Sequence, residues 1–373
     1  MQILQRAVVT AGCIGIFCLS ITSAQTPSNV MQLRKYAGAS MTLYYHLFKP
    51  TGYSSAKKYP IIFTFHGVGE NGDSSNTAYI NKNGLVSNYV SNAFQAKHAC
   101  FVAAPHVREP NETWIDTPWT VNNAVAKYKQ GPISKRLSTV MQILDSLERE
   151  FSIDTNRIYI TGLSIGGWAT WDLVTRFPNK FAAAFPQSGG VDTSKAKLVA
   201  QTPIWCYHGR NDNTVTPLSD NLMFENIDKQ DDNKGVVYPW CHGTTCPAEM
   251  TAAKIDSLTN AGMIHFYTLD PNQGHDGWDK YYGDTLIQNW LMKQSRSSAT
   301  AISLQSIQPR TASAGRRSAI LRMVGLCKQP ASLSGFEIYD LRGKLISGSA
   351  VGSAKLPSAV HGVVLLARKP LGG

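Results

Sequence analysis

Short apolar runs alternate along this chain with longer segments whose apolar residues recur every three or four positions. Tyr59–Phe65, Cys100–Ala104, Arg157–Thr161, Phe181–Phe185, Pro203–Tyr207 and Ile264–Thr268 are the short runs. Their length and near-continuous apolar character predict strands buried on both faces. Leu137, Val140, Met141, Leu144, Leu147 and Phe151 mark one face of a helix, and Leu85–Phe94, Trp168–Phe177, Pro217–Ile227, Ala248–Asn260 and Thr285–Met292 read as further helices. Met41–Phe48 alternates in polarity and reads as an additional strand. Buried strands alternating with helices predict an α/β class, with a doubly wound, mostly parallel sheet covered on both faces. In such a sheet the functional loops gather at the carboxyl ends of the strands.

The pattern breaks down at both ends of the chain. Residues 1–24 combine Arg6, an apolar stretch from Ala7 to Ile21 and small residues at Thr22-Ser23-Ala24, which reads as an export signal and is too short and interrupted for a membrane span. Residues 25–293 hold the α/β pattern. Residues 294–319 are rich in Ser, Thr, Ala and Arg and read as a linker. In residues 320–373, Gly335–Ile346 predicts two strands around a turn and Val363–Ala367 a third, making a small β module.

Charge sharpens this division. Residues 294–373 carry 11 Lys and Arg against 2 Asp and Glu, whereas residues 25–293 carry 24 against 23. The net charge of +11 therefore belongs mainly to the tail, and no basic face on a matching fold points to nucleic acid. That tail charge would also suit an acidic surface. Cys241 and Cys246 share a Gly- and Thr-rich loop, and export makes a disulfide between them reasonable. A zinc site built on Cys241, His242 and Cys246 lacks a fourth ligand.

Gly162-Leu163-Ser164-Ile165-Gly166-Gly167 lies between a predicted strand and a predicted helix. A serine at the apex of such a turn is held out at the end of the sheet, and the flanking glycines let strand and helix close around it. Serine needs a base to take its proton. His275, between Gly274 and Gly277 after the last strand, is the candidate. The base needs an acceptor to orient it, and Asp212, after the Pro203–Tyr207 strand, is the choice. Asp276 is a rival, while Asp220 and Asp228 read as part of a solvated helix face. The candidate oxyanion donors are the N–H groups of Ile165 and Val68, the latter in the glycine-rich loop His66–Gly72. His66, Glu70 and Trp278 are the candidate pocket residues. Glu70 would shape that loop or touch substrate. Trp168 and Trp171 read as core; Trp114, Trp119 and Trp240 are loop anchors or stacking platforms.

Tyr59–Gly72, Arg157–Gly167, Pro203–Asp212 and Gly274–Trp278, in that order, resemble α/β-hydrolase esterases of the group containing feruloyl esterases, acetylxylan esterases and polyhydroxyalkanoate depolymerases. The resemblance implies a secreted serine carboxylesterase working through Ser164, His275 and Asp212 with no metal or organic cofactor. Its implied substrate is a feruloyl or acetyl ester on plant cell-wall polysaccharide. A peptidase of the same fold and a non-catalytic carbohydrate-binding surface protein are the alternatives. Ile338–Lys344 and His361–Leu365 resemble the carboxyl-terminal sorting modules of type nine secretion, which implies secretion machinery as a partner. The ending Lys369–Gly373 departs from that pattern.

Overall fold

The computed structural model describes residues 26–72, 77–109, 112–116, 128–230, 236–240 and 251–296, and four strands between residues 320 and 368. The Cys241–Cys246 pair, Trp119, residues 1–24 read as an export signal and residues 297–319 of the expected linker lie outside the described residues. The chain divides into two units, 1–299 and 300–373.

The first unit is built on a nine-stranded sheet. Its strands are β1 (Gln32–Ala37), β2 (Thr42–Phe48), β3 (Tyr59–Phe65), β4 (Phe101–His106), β5 (Ile153–Leu163), β6 (Ala183–Gln187), β7 (Ile204–Gly209), β8 (Val236–Trp240) and β9 (His265–Asp270). Their spatial order is β1-β2-β4-β3-β5-β6-β7-β9-β8. From β4 to β8 all pairings are parallel, and β1 and β2 are antiparallel additions at one edge. Every strand expected from an apolar run is present. β1 and β8 were not expected: β1 is mostly exposed, so it lacks the apolar run that marks a buried strand.

Alternation along the strands separates two cores. Ile61, Phe63 and Phe65 of β3, Ile158 and Ile160 of β5, and Ile204 and Cys206 of β7 face one side. There they meet Leu137, Val140, Leu144 and Leu147 of the helix Lys135–Glu150 and Met223, Phe224 and Ile227 of the helix Leu218–Gln230. Ile62, Tyr159, Trp205 and Tyr207 face the other side, against Ile287, Trp290 and Leu291 of the helix Thr285–Lys293. The Lys135–Glu150 helix begins at Ser134, whose hydroxyl accepts from Leu137 N–H at 3.0 Å and donates to Trp114 O at 2.6 Å. This cap ties the helix start to the loop that passes beside β3.

β4 lies on one side of β3 and β5 on the other, so the chain changes direction across the sheet between β3 and β5. Phe65 is paired with Gly162, Leu163 with Gln187 and Gly209 with Asp270. The carboxyl ends of five strands therefore share one edge, and the turn into the helix Ile165–Arg176 sits at the crossover. In the second unit, β10 (Ile320–Met323), β11 (Phe336–Tyr339), β12 (Leu345–Gly348) and β13 (Val364–Arg368) form an antiparallel sheet in the order β10-β13-β11-β12. Three of these match the expected strands; β10 is an addition.

At the crossover the elements touch backbone to backbone. A Cβ on Gly166 would lie 1.9 Å from Phe65 O, and one on Gly162 2.3 Å from Gly166 O. Backbone cannot yield as a side-chain tip can, so Gly166→Ala should lower the unfolding free energy by about 3 kcal/mol, measured by urea unfolding. Gly69→Ala, where a Cβ meets nothing within 4 Å, should leave stability within about 0.5 kcal/mol. Equal effects of the two substitutions would contradict this account of the crossover.

Candidate active site

Ser164 takes φ 54° and ψ −120°, a region that costs a non-glycine residue about 1–3 kcal/mol. Two hydrogen bonds hold it there. Ser164 N–H donates to Gln187 O at 2.9 Å, and Trp168 N–H donates to Ser164 O at 3.1 Å. Gly167 lies so close to β6 that a Cβ would sit 2.5 Å from Gln187 O. The strained serine thus follows from three glycines that let β3, β5, β6 and the helix close on one point. Ile165 is the first residue of that helix, where N–H groups have no intrahelical acceptor.

Three side chains from three loops form one hydrogen-bonded line. His275 Nε2 is 2.9 Å from Ser164 Oγ, and His275 Nδ1 is 2.7 Å from Asp212 Oδ2. Asp276, the rival acid, is exposed, and Asp212 fills the position beside the ring. The Asp212 side chain is fully buried, whereas that of His275 is 20% exposed, so one end of the line meets solvent. Asp212 Oδ1 accepts from Thr214 N–H and Val215 N–H, each at 2.8 Å. Burial by itself would raise the Asp212 pKa, but the hydrogen bonds and charges of His208 and His275 hold it well below the usual carboxylate range.

The two loops carrying Asp212 and His275 are fastened together by backbone. Arg210 N–H donates to Asp270 O at 2.8 Å and Asn211 N–H to Gln273 O at 3.0 Å. A Cβ on Gly209 would stand 2.0 Å from Gly274 O. Asp270 is buried at the end of β9 and accepts from Tyr281 OH at 2.6 Å and Lys280 Nζ at 3.0 Å. Trp278 stands edge-on to His275, with ring centroids 5.2 Å apart, and its indole N–H donates to Ser188 Oγ at 3.1 Å. Ser188 has φ 47°, a second strained serine at the end of β6. Sequence reasoning missed Ser188 and Asp270, since neither carries a local signature.

The loop after β3 passes beside the serine. A Cβ on Gly67 would be 3.5 Å from Ser164 Cβ and 2.7 Å from Leu163 Cδ1. Glu70 is buried and accepts from Gly67 N–H at 2.6 Å and from Asn83 Nδ2. It shapes the loop, and its pKa is raised by burial. Val68 opens the short 3-10 turn Val68–Glu70 with its side chain exposed. His66 corrects its assignment as a pocket residue. It is buried, its Nδ1–H donates to Gly67 O at 2.7 Å, and its Nε2 accepts from Val107 N–H at 3.0 Å. Trp114 is fully buried too and donates its indole N–H to His66 O at 3.0 Å, so it is an anchor and not a platform. Trp168 and Trp171 are buried as expected.

Asp220 also departs from expectation. It is fully buried and lies 2.6 Å from His208 Nδ1, and His208 Nε2 lies 3.1 Å from Asp212 Oδ2. The signal was present, because Asp220, Met223, Phe224 and Ile227 share one helical stripe. Among the described residues no group of three His, Cys, Asp or Glu side chains is placed to hold a metal, and no helix is long and apolar enough to cross a membrane.

Residues 133–296 match the model of the prolyl oligopeptidase family. The chain is 37% identical over 82 residues to a bifunctional acetylxylan esterase/xylanase of Neocallimastix patriciarum, covering 22% of this chain and 12% of that protein. It is 27% identical over 172 residues to poly(3-hydroxyalkanoate) depolymerase C of Paucimonas lemoignei, covering 36% of this chain and 41% of that one. The chain thus spans less than half the length of these curated relatives. Among solved structures, a thermostable esterase superposes with a TM-score of 0.56 at 25% identity, covering 72% of this chain and 64% of the other. Sheet order, crossover and this superposition together show an α/β-hydrolase fold.

The buried histidines make stability pH-dependent. Burial depresses His66 to about 3 and His265, whose Nε2–H donates to Val199 O at 3.2 Å, to about 4. The unfolded chain protonates both near their ordinary value of 6.5, so between these values it holds more protons than the fold. Stability should therefore fall as pH drops below about 6.5. In urea unfolding, His66→Gln should lose about 2 kcal/mol less than the parent between about pH 7 and pH 5. An unchanged pH dependence in that variant would contradict a neutral, buried His66.

Proposed function

We propose that this chain is a serine carboxylesterase in which Ser164 is the nucleophile, His275 the general base and Asp212 its orienting acid. The observation that carries the reading is the line Ser164–His275–Asp212, closed at 2.9 and 2.7 Å around a serine in a strained conformation. His275 Nε2 takes the Ser164 proton as Oγ attacks the ester carbonyl. Asp212 accepts the Nδ1–H and stabilises the imidazolium. His275 then protonates the departing alcohol, and a water deprotonated by the same ring releases the acid from the acyl-enzyme. Ile165 N–H and Val68 N–H are assigned to the oxyanion, with Glu70 holding the loop that presents Val68. Trp278 borders the pocket. This chemistry uses no metal or organic cofactor.

The names of the relatives support ester substrates, and acetyl or feruloyl groups on plant cell-wall polysaccharide are the class assigned. Residues 1–24 would serve export and residues 320–373 delivery to secretion machinery, placing the enzyme outside the cell or at its surface. The match to the prolyl oligopeptidase family favours a second reading, a peptidase on the same triad.

Hydrolysis of p-nitrophenyl acetate, acetylated and feruloylated xylo-oligosaccharides and a prolyl p-nitroanilide separates these readings. Ester turnover with kcat reduced about 10⁴-fold or more in Ser164→Ala is the expected result. Cleavage of the anilide alone would favour the peptidase, and equal rates in parent and variant would remove the mechanism. Val68→Pro deletes one N–H at a helix start, where proline is accepted, behind a Gly67 already extended at φ −81° and ψ 177°. Its kcat should fall about 10²-fold with KM little changed.

A further inference from the structure

We propose that His208 is a second histidine of this site, an imidazolium clamped between Asp212 and Asp220 that keeps Asp212 ionised and aimed at His275. The inference rests on the triad reading above and extends it by a positioning residue that touches no substrate.

The hydrogen-bond partners assign the protons. His208 Nε2 is 2.8 Å from Val215 O. A carbonyl oxygen only accepts, so Nε2 carries hydrogen, and the same N–H reaches Asp212 Oδ2 at 3.1 Å. Nδ1 lies 2.6 Å from Asp220 Oδ2, which also receives the Cys206 thiol hydrogen at 3.3 Å. Burial and the Asp220 charge raise the Cys206 pKa well above its ordinary value, so that group stays a donor. Asp220 Oδ2 is then the acceptor from both neighbours, and the 2.6 Å separation suits a charge-assisted bond from an imidazolium. Asp220 Oδ1 is buried without a partner among the described residues, which leaves His208 as the full charge that compensates Asp220.

The His208, Asp212 and Asp220 side chains are all fully buried. Burial, the largest influence on His208, opposes its charge, yet the hydrogen bonds and charges of the two carboxylates outweigh it and push the ring up to about 9. The groups around it are Asp212 from the following turn, Asp220 from the helix Leu218–Gln230, Cys206 on its own strand and His275 beyond Asp212. Asp270, beside Gly209 on β9, is bonded to Lys280 and Tyr281.

Charge consequently alternates along one line, with Asp220 negative, His208 positive and Asp212 negative. When His275 takes the serine proton, the set of four becomes neutral. A cation behind Asp212 also opposes protonation of that carboxylate, which stays ionised to lower pH. An uncharged side chain at 208 removes that opposition and leaves the buried Asp220 carboxylate without its compensating cation.

The test is ¹⁵N NMR of the full chain labelled at histidine, with pH–rate profiles for p-nitrophenyl acetate. In the parent, one of the nine histidines should keep both ring nitrogens protonated from about pH 5 to about pH 8, and that signal should be missing from His208→Gln. The acid limb of kcat/KM should move up by about one pH unit in the variant. A merely structural role would scale the profile without moving it. An unprotonated nitrogen on every histidine at about pH 8, or an acid limb that does not move, would overturn the proposal. The spectrum of the parent needs neither a folded variant nor a substrate. Failure of the esterase reading would therefore show in the rates, separately from the protonation of His208.

Discussion

Backbone contact between β3, β5, β6 and the helix Ile165–Arg176 is the constraint on which the rest of this structure depends. Gly162, Gly166 and Gly167 permit it, because a Cβ at any of them would come within 1.9–2.5 Å of a backbone oxygen of a neighbouring element. Once these elements are so close, the link between strand and helix has room only for a sharp turn, and Ser164 carries the strain at φ 54°. The cost, about 1–3 kcal/mol, is small beside the burial of Phe63, Phe65, Ile160 and Trp168 around it, each worth about 1.5–3 kcal/mol. Strain at the serine is therefore sustained by the apolar packing of the core that these residues share on one side of the sheet.

A second layer of order is electrostatic. Asp212 receives two backbone N–H groups on one oxygen and two histidines on the other. A carboxylate stripped of water needs such a full set of donors to remain ionised. The turn Asp212–Val215 supplies the backbone donors, β7 supplies His208, and the loop after β9 supplies His275. Close contact between Gly209 and Gly274 keeps these sources in register. Asp270 does comparable work at the end of β9, bracing Lys280 and Tyr281 beyond the His275 loop.

Much of this was legible in the sequence because burial on both faces of a sheet writes itself as unbroken apolar runs. β3 was read at its observed bounds, and the serine turn, Asp212 and His275 were placed at strand ends that prove to share one edge. Other features leave weaker marks. β1 lies at an edge with its side chains largely exposed, and so offers neither a run nor a clear alternation. His66 sits in a glycine-rich loop and looked available to a ligand, yet both its ring nitrogens are used within the fold. Asp220 was read as part of a solvated helix face, although its helical phase with Met223 and Ile227 places it in the core. Ser188 adopts φ 47° and accepts the Trp278 indole N–H, and no local pattern announces either.

The central claim is that this scaffold activates one serine, Ser164, through His275. Reaction of the full chain with a fluorophosphonate, followed by peptide mass spectrometry, addresses it directly, because the reagent phosphonylates a serine whose proton is being removed. The account predicts one adduct per chain, on Ser164, and its disappearance in His275→Gln. An adduct on another serine, or a folded parent chain that takes up no reagent, would contradict it.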